Sequence, residues 1–160
     1  MRLIIAAVGR LKDGPERALL ERYRHRFADL GKRLGLSPVV WHELAESRAV
    51  ATIKRCAEEG AALLKLAHDA DIIIALDERG KTLTSQAFAQ LLGKIRDDGA
   101  DTLAILVGGP DGLAPNVREA AWIKLSLGAI TLPHGLARIV LAEQLYRAAT
   151  ILAGHPYHRE

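Results

Sequence analysis

Short runs of consecutive apolar residues alternate along this chain with longer stretches in which apolar residues recur every three or four positions. The runs read as strands buried on both faces: Leu3 to Val8, Val39 to Leu44, Ile72 to Leu76 and Leu103 to Val107, with a short fifth at Ala129 to Leu132. The periodic stretches read as helices. Leu19, Tyr23, Phe27, Leu30 and Leu34 make one apolar stripe, Val50, Ile53, Ala57, Ala61 and Leu64 a second, and Phe88, Leu91, Leu92 and Ile95 a third. Thr84 sits where an N-cap is needed. A last helix is predicted from Leu136 to Leu152, with Ile139, Val140, Leu145 and Ala149 inward, and Gly154 followed by Pro156 stops it.

Strands alternating with helices predict an α/β layered fold around a mostly parallel sheet. The 160 residues suit one domain, 1–160, and no repeat, linker or low-complexity tract divides them. Apolar residues make up 49%, enough for a core, and the net charge of +3 is a mild basic excess that suits a polyanionic partner without requiring one. The single cysteine, Cys56, excludes a disulfide within the chain and reads as a small core residue. The apolar start, Met1 to Gly9, is too short for a signal peptide and runs into Arg10 and Lys12. No stretch is long enough to span a bilayer, and the expected location is the cytoplasm.

Three segments carry candidate chemistry. Val107-Gly108-Gly109-Pro110-Asp111-Gly112 follows a strand and leads into a helical segment. Paired glycines at a strand's carboxyl end let backbone N–H groups approach a ligand, but they equally make a tight turn. Leu127-Gly128-Ala129-Ile130-Thr131-Leu132-Pro133-His134 offers backbone polar groups between apolar walls, and also reads as one more connection. The third is the C-terminus, with His155, Tyr157, His158, Arg159 and Glu160. Arginine and histidine can hold phosphate, and tyrosine can stack on a base. Gly9 and Gly14 have the outer spacing of a P-loop, but Pro15-Glu16 replaces the required Lys-Ser/Thr, which argues against ATP hydrolysis. No His or Cys pair has metal-ligand spacing, so no metal is expected.

Taken together, Leu106 to Leu113, Ile130 to His134, Ala142-Glu143-Gln144-Leu145-Tyr146-Arg147 and His155 to Glu160 resemble the small bacterial SPOUT (α/β-knot) methyltransferases that act on 23S ribosomal RNA. The resemblance spans the chain and is sharpest from Leu103 to Glu160. It implies helices on both faces of the sheet, a C-terminal trefoil knot within a cofactor-binding part of about 71–160, and a homodimer acting on the ribosome. It also implies S-adenosyl-L-methionine as methyl donor and N3 of a pseudouridine as acceptor. Carried onto this sequence, the cofactor loops are Leu76, Gly108, Gly109, Leu127, Gly128, Ala129, Ile130, Thr131, Leu132 and Pro133.

Methyl transfer from a sulfonium needs no metal, but the acceptor N3 must lose a proton. His155 and His158 are the base candidates by side-chain pKa, and Glu143 is another. Arg138 or Arg159 is a candidate for gripping base oxygens or phosphate, and Tyr157 for stacking on the target base. A catalytically inactive RNA-binding module of the same fold is the competing expectation, and would bind RNA without binding the methyl donor.

Overall fold

The computed structural model describes residues 1–158. Five strands form one sheet: β1 (Arg2–Val8), β2 (Val39–Leu44), β3 (Ile72–Thr82), β4 (Thr102–Val107) and β5 (Ile123–Ser126). Five helices follow them in turn: α1 (Pro15–Arg33), α2 (Thr52–Leu66), α3 (Ser85–Asp97), α4 (Pro115–Ala120) and α5 (His134–Leu152). The strand order is β2-β1-β4-β3-β5 and every pairing is parallel.

The continuous apolar runs have a direct cause. Leu3 to Val8 are all buried because alternate residues of β1 feed two different cores. Leu3, Ile5 and Ala7 join Phe27 of α1, Phe88 and Leu92 of α3 and Leu141 and Leu145 of α5. Ile4, Ala6 and Val8 join Leu63 of α2 and Val117 of α4. Helices therefore cover both faces of the sheet, as doubly buried parallel strands require. Among the described residues, no helix is long and apolar enough to cross a membrane.

Local chemistry sets the helix ends. Thr84 accepts a hydrogen bond from the Ala87 N–H at 3.1 Å and so caps α3 as expected. At the end of α5, Gly154 adopts φ 64°, its N–H donates to the Ile151 carbonyl, and the His155 N–H reaches back to Thr150. This paired closure satisfies the last carbonyls and turns the chain back over the helix.

Two sequence expectations are corrected. The fifth strand is Ile123–Ser126, and Ala129 to Leu132 lies in the loop after it, with Ile130 82% exposed. As an edge strand, Ile123-Lys124-Leu125-Ser126 alternates between buried and open positions, so it never forms an apolar run. The second correction concerns α2. Val50 and Ile53 are 96% and 86% exposed, and Ala57 and Ala61 also face outward. The inward face is Cys56, Gly60, Leu63 and Ala67, which repeats at the same spacing one step around the helix. Gly60 sits where a Cβ would come 2.7 Å from the Ala114 Cβ, so a glycine was the marker of the packed side.

A polar strut ties α1 and α5 to the sheet. Arg138, in the second turn of α5 and 4% exposed, donates through Nη1 to the Gly9 carbonyl at 2.9 Å and through Nη2 to the Val8 carbonyl at 2.8 Å. Its Nη1 also meets Glu43 Oε1 of β2 at 3.2 Å, and Arg17 of α1 donates to Glu43 Oε2 at 2.6 Å. Burial pushes the Glu43 carboxyl up, but the hydrogen bonds from Arg17 and the Leu11 N–H, with the charges of Arg17 and Arg138, hold it below its ordinary value.

Leu63→Ala should cost about 2–5 kcal/mol in denaturant unfolding, whereas Ile53→Ala should stay within about 0.5 kcal/mol of the parent. A large loss at Ile53 would place the packed face of α2 elsewhere. Because Glu43 titrates lower folded than unfolded, its contribution is complete above the unfolded carboxylate pKa and fades as pH falls through the folded one. Stability measured from neutral pH down to about pH 2 should therefore decline in the parent and decline less steeply in Glu43→Gln.

Candidate functional site

Parallel pairing brings the carboxyl ends of all five strands to one edge, where an open α/β sheet places its ligands. There, the irregular middle of β3, the loop after β4, the loop after β5 and the first turn of α5 enclose a cavity of about 680 Å³, in the range of small-molecule sites.

Leu76 is the last regularly paired residue of β3, opposite Val107 on one side and Leu125 on the other. Beyond it the pairing with β5 lapses until Lys81, and Asp77, Glu78 and Arg79 line the cavity. After β4 the chain turns tightly, with the Gly112 N–H donating to the Gly109 carbonyl at 3.0 Å and Gly112 at φ 81°. Neither of the paired glycines tolerates a side chain. A Cβ on Gly108 would lie 2.8 Å from the Gly112 carbonyl carbon, and one on Gly109 2.9 Å from Val8 Cγ1. The glycines are thus required by packing, and the turn they build is a cavity wall, so the two readings of this motif hold together. Past β5, Ser126 Oγ donates to the Gly128 carbonyl at 2.9 Å and accepts from the Gly128 N–H at 3.2 Å, which folds the 127–133 loop over the cavity.

The walls are apolar at Leu76, Leu125, Leu127, Ile130 and Leu132, and charged at the opposite rim. Asp77 pairs with Arg118 of α4 and accepts the Arg79 N–H at 2.9 Å. Burial pushes Asp77 up, but the bonds from Arg118 and the Arg79 N–H hold it below the usual carboxylate range. Asp111 is likewise held low by a hydrogen bond from Arg55 Nε at 2.8 Å. Beneath the glycine turn, Glu59 is 6% exposed; its Oε1 accepts the Ser47 N–H at 2.9 Å, and its Oε2 has no partner among the described residues.

Of the residues expected to hold a cofactor, Leu76, Gly108, Gly109, Leu127, Gly128, Ile130, Thr131, Leu132 and Pro133 line this cavity, and Ala129 sits in the same loop without lining it. Sequence reasoning missed the Asp77–Arg118 pair. Asp77 follows a strand end directly, but nothing in the spacing links it to a partner 41 positions away.

The expected catalytic residues are placed elsewhere. The Arg138 guanidinium is committed to backbone carbonyls and Glu43, which makes it a brace within this chain. Glu143 accepts from Arg147 Nε at 2.9 Å and Nη2 at 2.6 Å, from Gln144 at 2.7 Å and from the Tyr157 hydroxyl at 3.4 Å. Tyr157 packs its ring 4.7 Å from that of Tyr146, beneath the Arg147 guanidinium. Burial and a hydrogen bond with Tyr23 push the Tyr157 hydroxyl up to about 12, so it stays protonated at neutral pH. The exposed His155 accepts the Tyr157 N–H on Nδ1 at 3.2 Å. His158 closes a short 3₁₀ turn, Pro156–His158, its side chain lying outside the described residues along with Arg159 and Glu160. This cluster rests on α5 six to ten positions beyond the cavity-lining Ala137, roughly 9–15 Å along the helix.

Residues 1–158 match the family described as predicted SPOUT methyltransferase. A Nitrobacter winogradskyi protein called ribosomal RNA large subunit methyltransferase H is 54% identical over 159 residues, covering 99% of both chains. A protein of the same name from Rhodopseudomonas palustris is 53% identical with the same coverage. Among solved structures, a probable methyltransferase from Bordetella pertussis superposes with a TM-score of 0.51 at 16% identity, over 92% of this chain and 95% of that one. A probable methylase family protein from Haemophilus influenzae gives 0.52 at 12% identity, over 99% and 70%. Those two likenesses speak to the fold alone; the full-length match at the level of sequence decides the family, and the chain belongs to the SPOUT methyltransferases.

Proposed function

We propose that this chain methylates N3 of a pseudouridine in 23S ribosomal RNA on the ribosome, with S-adenosyl-L-methionine as donor. The observation that carries this reading is the cavity at the strand ends, built by the loops that the family resemblance assigns to the cofactor. The substrate comes from full-length relatives named for large-subunit ribosomal RNA. The loops after β4 and β5 then belong to the trefoil knot that the family implies.

The cavity's chemistry fits the donor. Leu76, Leu125, Leu127, Ile130 and Leu132 suit the faces of an adenine ring, and the backbone groups of 127–133 suit its polar edge. Arg118 and Asp77 at the other rim suit the carboxylate and ammonium of an amino-acid end. When bound, the donor supplies a methyl group on a positively charged sulfur, already electrophilic enough to need no metal. The chain's own task is to fix the acceptor nitrogen in line and remove its proton.

The tail residues divide those roles by the contacts they already make. Tyr157, its ring packed against Tyr146 and its hydroxyl donating to Glu143, serves as a hydrogen-bond donor. With Nδ1 accepting, neutral His155 carries its hydrogen on Nε2 and is a donor to uracil-type oxygens. His158, and Glu143 once released from Arg147, remain for the base. The tail and the cavity of one chain lie along different parts of α5, and a homodimer in which each tail serves the partner's cavity brings them together.

Mass mapping of ribosomal RNA from cells with and without the protein should show one methyl group lost from a single 23S pseudouridine; an unchanged map would sink the assignment. His158→Ala should lower kcat by about 10²–10⁴-fold while donor affinity by calorimetry holds. Mixing a cavity variant, Gly109→Val, with a tail variant, Tyr157→Ala, should restore turnover that neither has alone if the sites are shared between subunits.

A further inference from the structure

The loop after β1, residues 9–14, stands at the same carboxyl edge but does not line the cavity. It is firmly held. The Gly9 N–H donates to the Leu44 carbonyl at 2.8 Å, and the Gly9 carbonyl accepts from buried Arg138. The Leu11 carbonyl accepts from Arg17 Nη2 at 2.6 Å, and the Leu11 side chain packs into the small core of Leu20, Ile139 and Ala142. The loop also abuts α5 where that helix borders the cavity: a Cβ on Gly135 would lie 3.1 Å from Leu11 Cδ2 and 2.7 Å from Glu16 Oε2. His134 and Ala137, on either side of Gly135, line the cavity wall.

Arg10 and Lys12 project from this braced loop, both exposed and neither in an ion pair among the described residues. Of the arginines at the cavity, Arg118 is engaged by Asp77 and Arg55 by Asp111, while Arg79 meets Glu78 only in an exposed contact at 3.8 Å. Free cations on a pre-ordered backbone next to a reaction cavity suit phosphate, because affinity for a polyanion comes from neutralising phosphates and releasing their counterions. A buried guanidinium is costly to keep, and here it fixes the loop against the helix that walls the cavity. Phosphates gripped at this loop therefore stand at a set distance from the donor.

We propose that the β1–α1 loop is a phosphate-gripping site for the substrate RNA, with Arg10 and Lys12 as the grips. This rests on the ribosomal-RNA reading above. Asp13, the loop's other exposed charge, opposes binding.

The test uses the full-length protein and large ribosomal subunits from cells lacking it. The double variant Arg10→Ala/Lys12→Ala should raise KM for subunits about tenfold and lower the slope of log affinity against log salt by about 1.5. Its kcat and its affinity for S-adenosylmethionine should match the parent's. Arg10→Lys/Lys12→Arg should restore binding, and Asp13→Asn should tighten it. Unchanged KM and salt slope in the double variant, or donor affinity lost in step with RNA affinity, would overturn the proposal. Subunits left unlabelled by the parent protein would instead overturn the RNA reading, and this inference with it.

Discussion

Parallel pairing of all five strands is the constraint on which the site depends. Each strand must be followed by a helix that carries the chain back, so every carboxyl end meets the same edge. β1, an interior strand between β2 and β4, helps to enforce this order. Its alternate side chains anchor two cores at once, so neither helical layer can shift without disturbing the other. The cavity is the space those fixed strand ends leave between their loops.

Most of the fold was legible in the sequence because burial on both faces leaves an unbroken apolar run. Residues 3–8, 72–76 and 103–107 lie in strands for that reason, whereas 39–44 forms the other edge strand and is only half-buried throughout. β5 failed to register because it lies at the edge and alternates, while the apolar loop after it imitates a strand. α2 carries small or apolar residues on two adjacent stripes, and periodicity cannot choose between them. Contact with α4 chose the side bearing Gly60 and Leu63.

The turn after β4 was legible through its strand end and paired glycines, signals that act over a few residues, whereas Leu76 and the 127–133 loop were assigned to the cofactor by family resemblance. The partners of Arg138 and Asp77 were not legible, because those bonds join positions far apart in the chain and depend on how the layers stack. Arg138 shows the difference in kind. An arginine near a site reads as a grip on substrate, yet its burial and its two backbone acceptors make it part of the frame. The tail, although rich in functional groups, folds onto its own helix because Gly154 reverses the chain there.

The two long walls of the cavity differ in how freely they can evolve. Around Gly108 and Gly109, neighbouring atoms fill the space any side chain would need, and the carboxylate of Glu59 presses from beneath. Drift on that side is closed off. On the loop after β5 only Gly128, at φ 130°, is held by its backbone, while Ile130 reaches into solvent with nothing packed around it to restrict its side chain. Divergence among relatives in the shape of ligand accepted should accumulate on this second wall, leaving the first as the fixed jaw of the clamp.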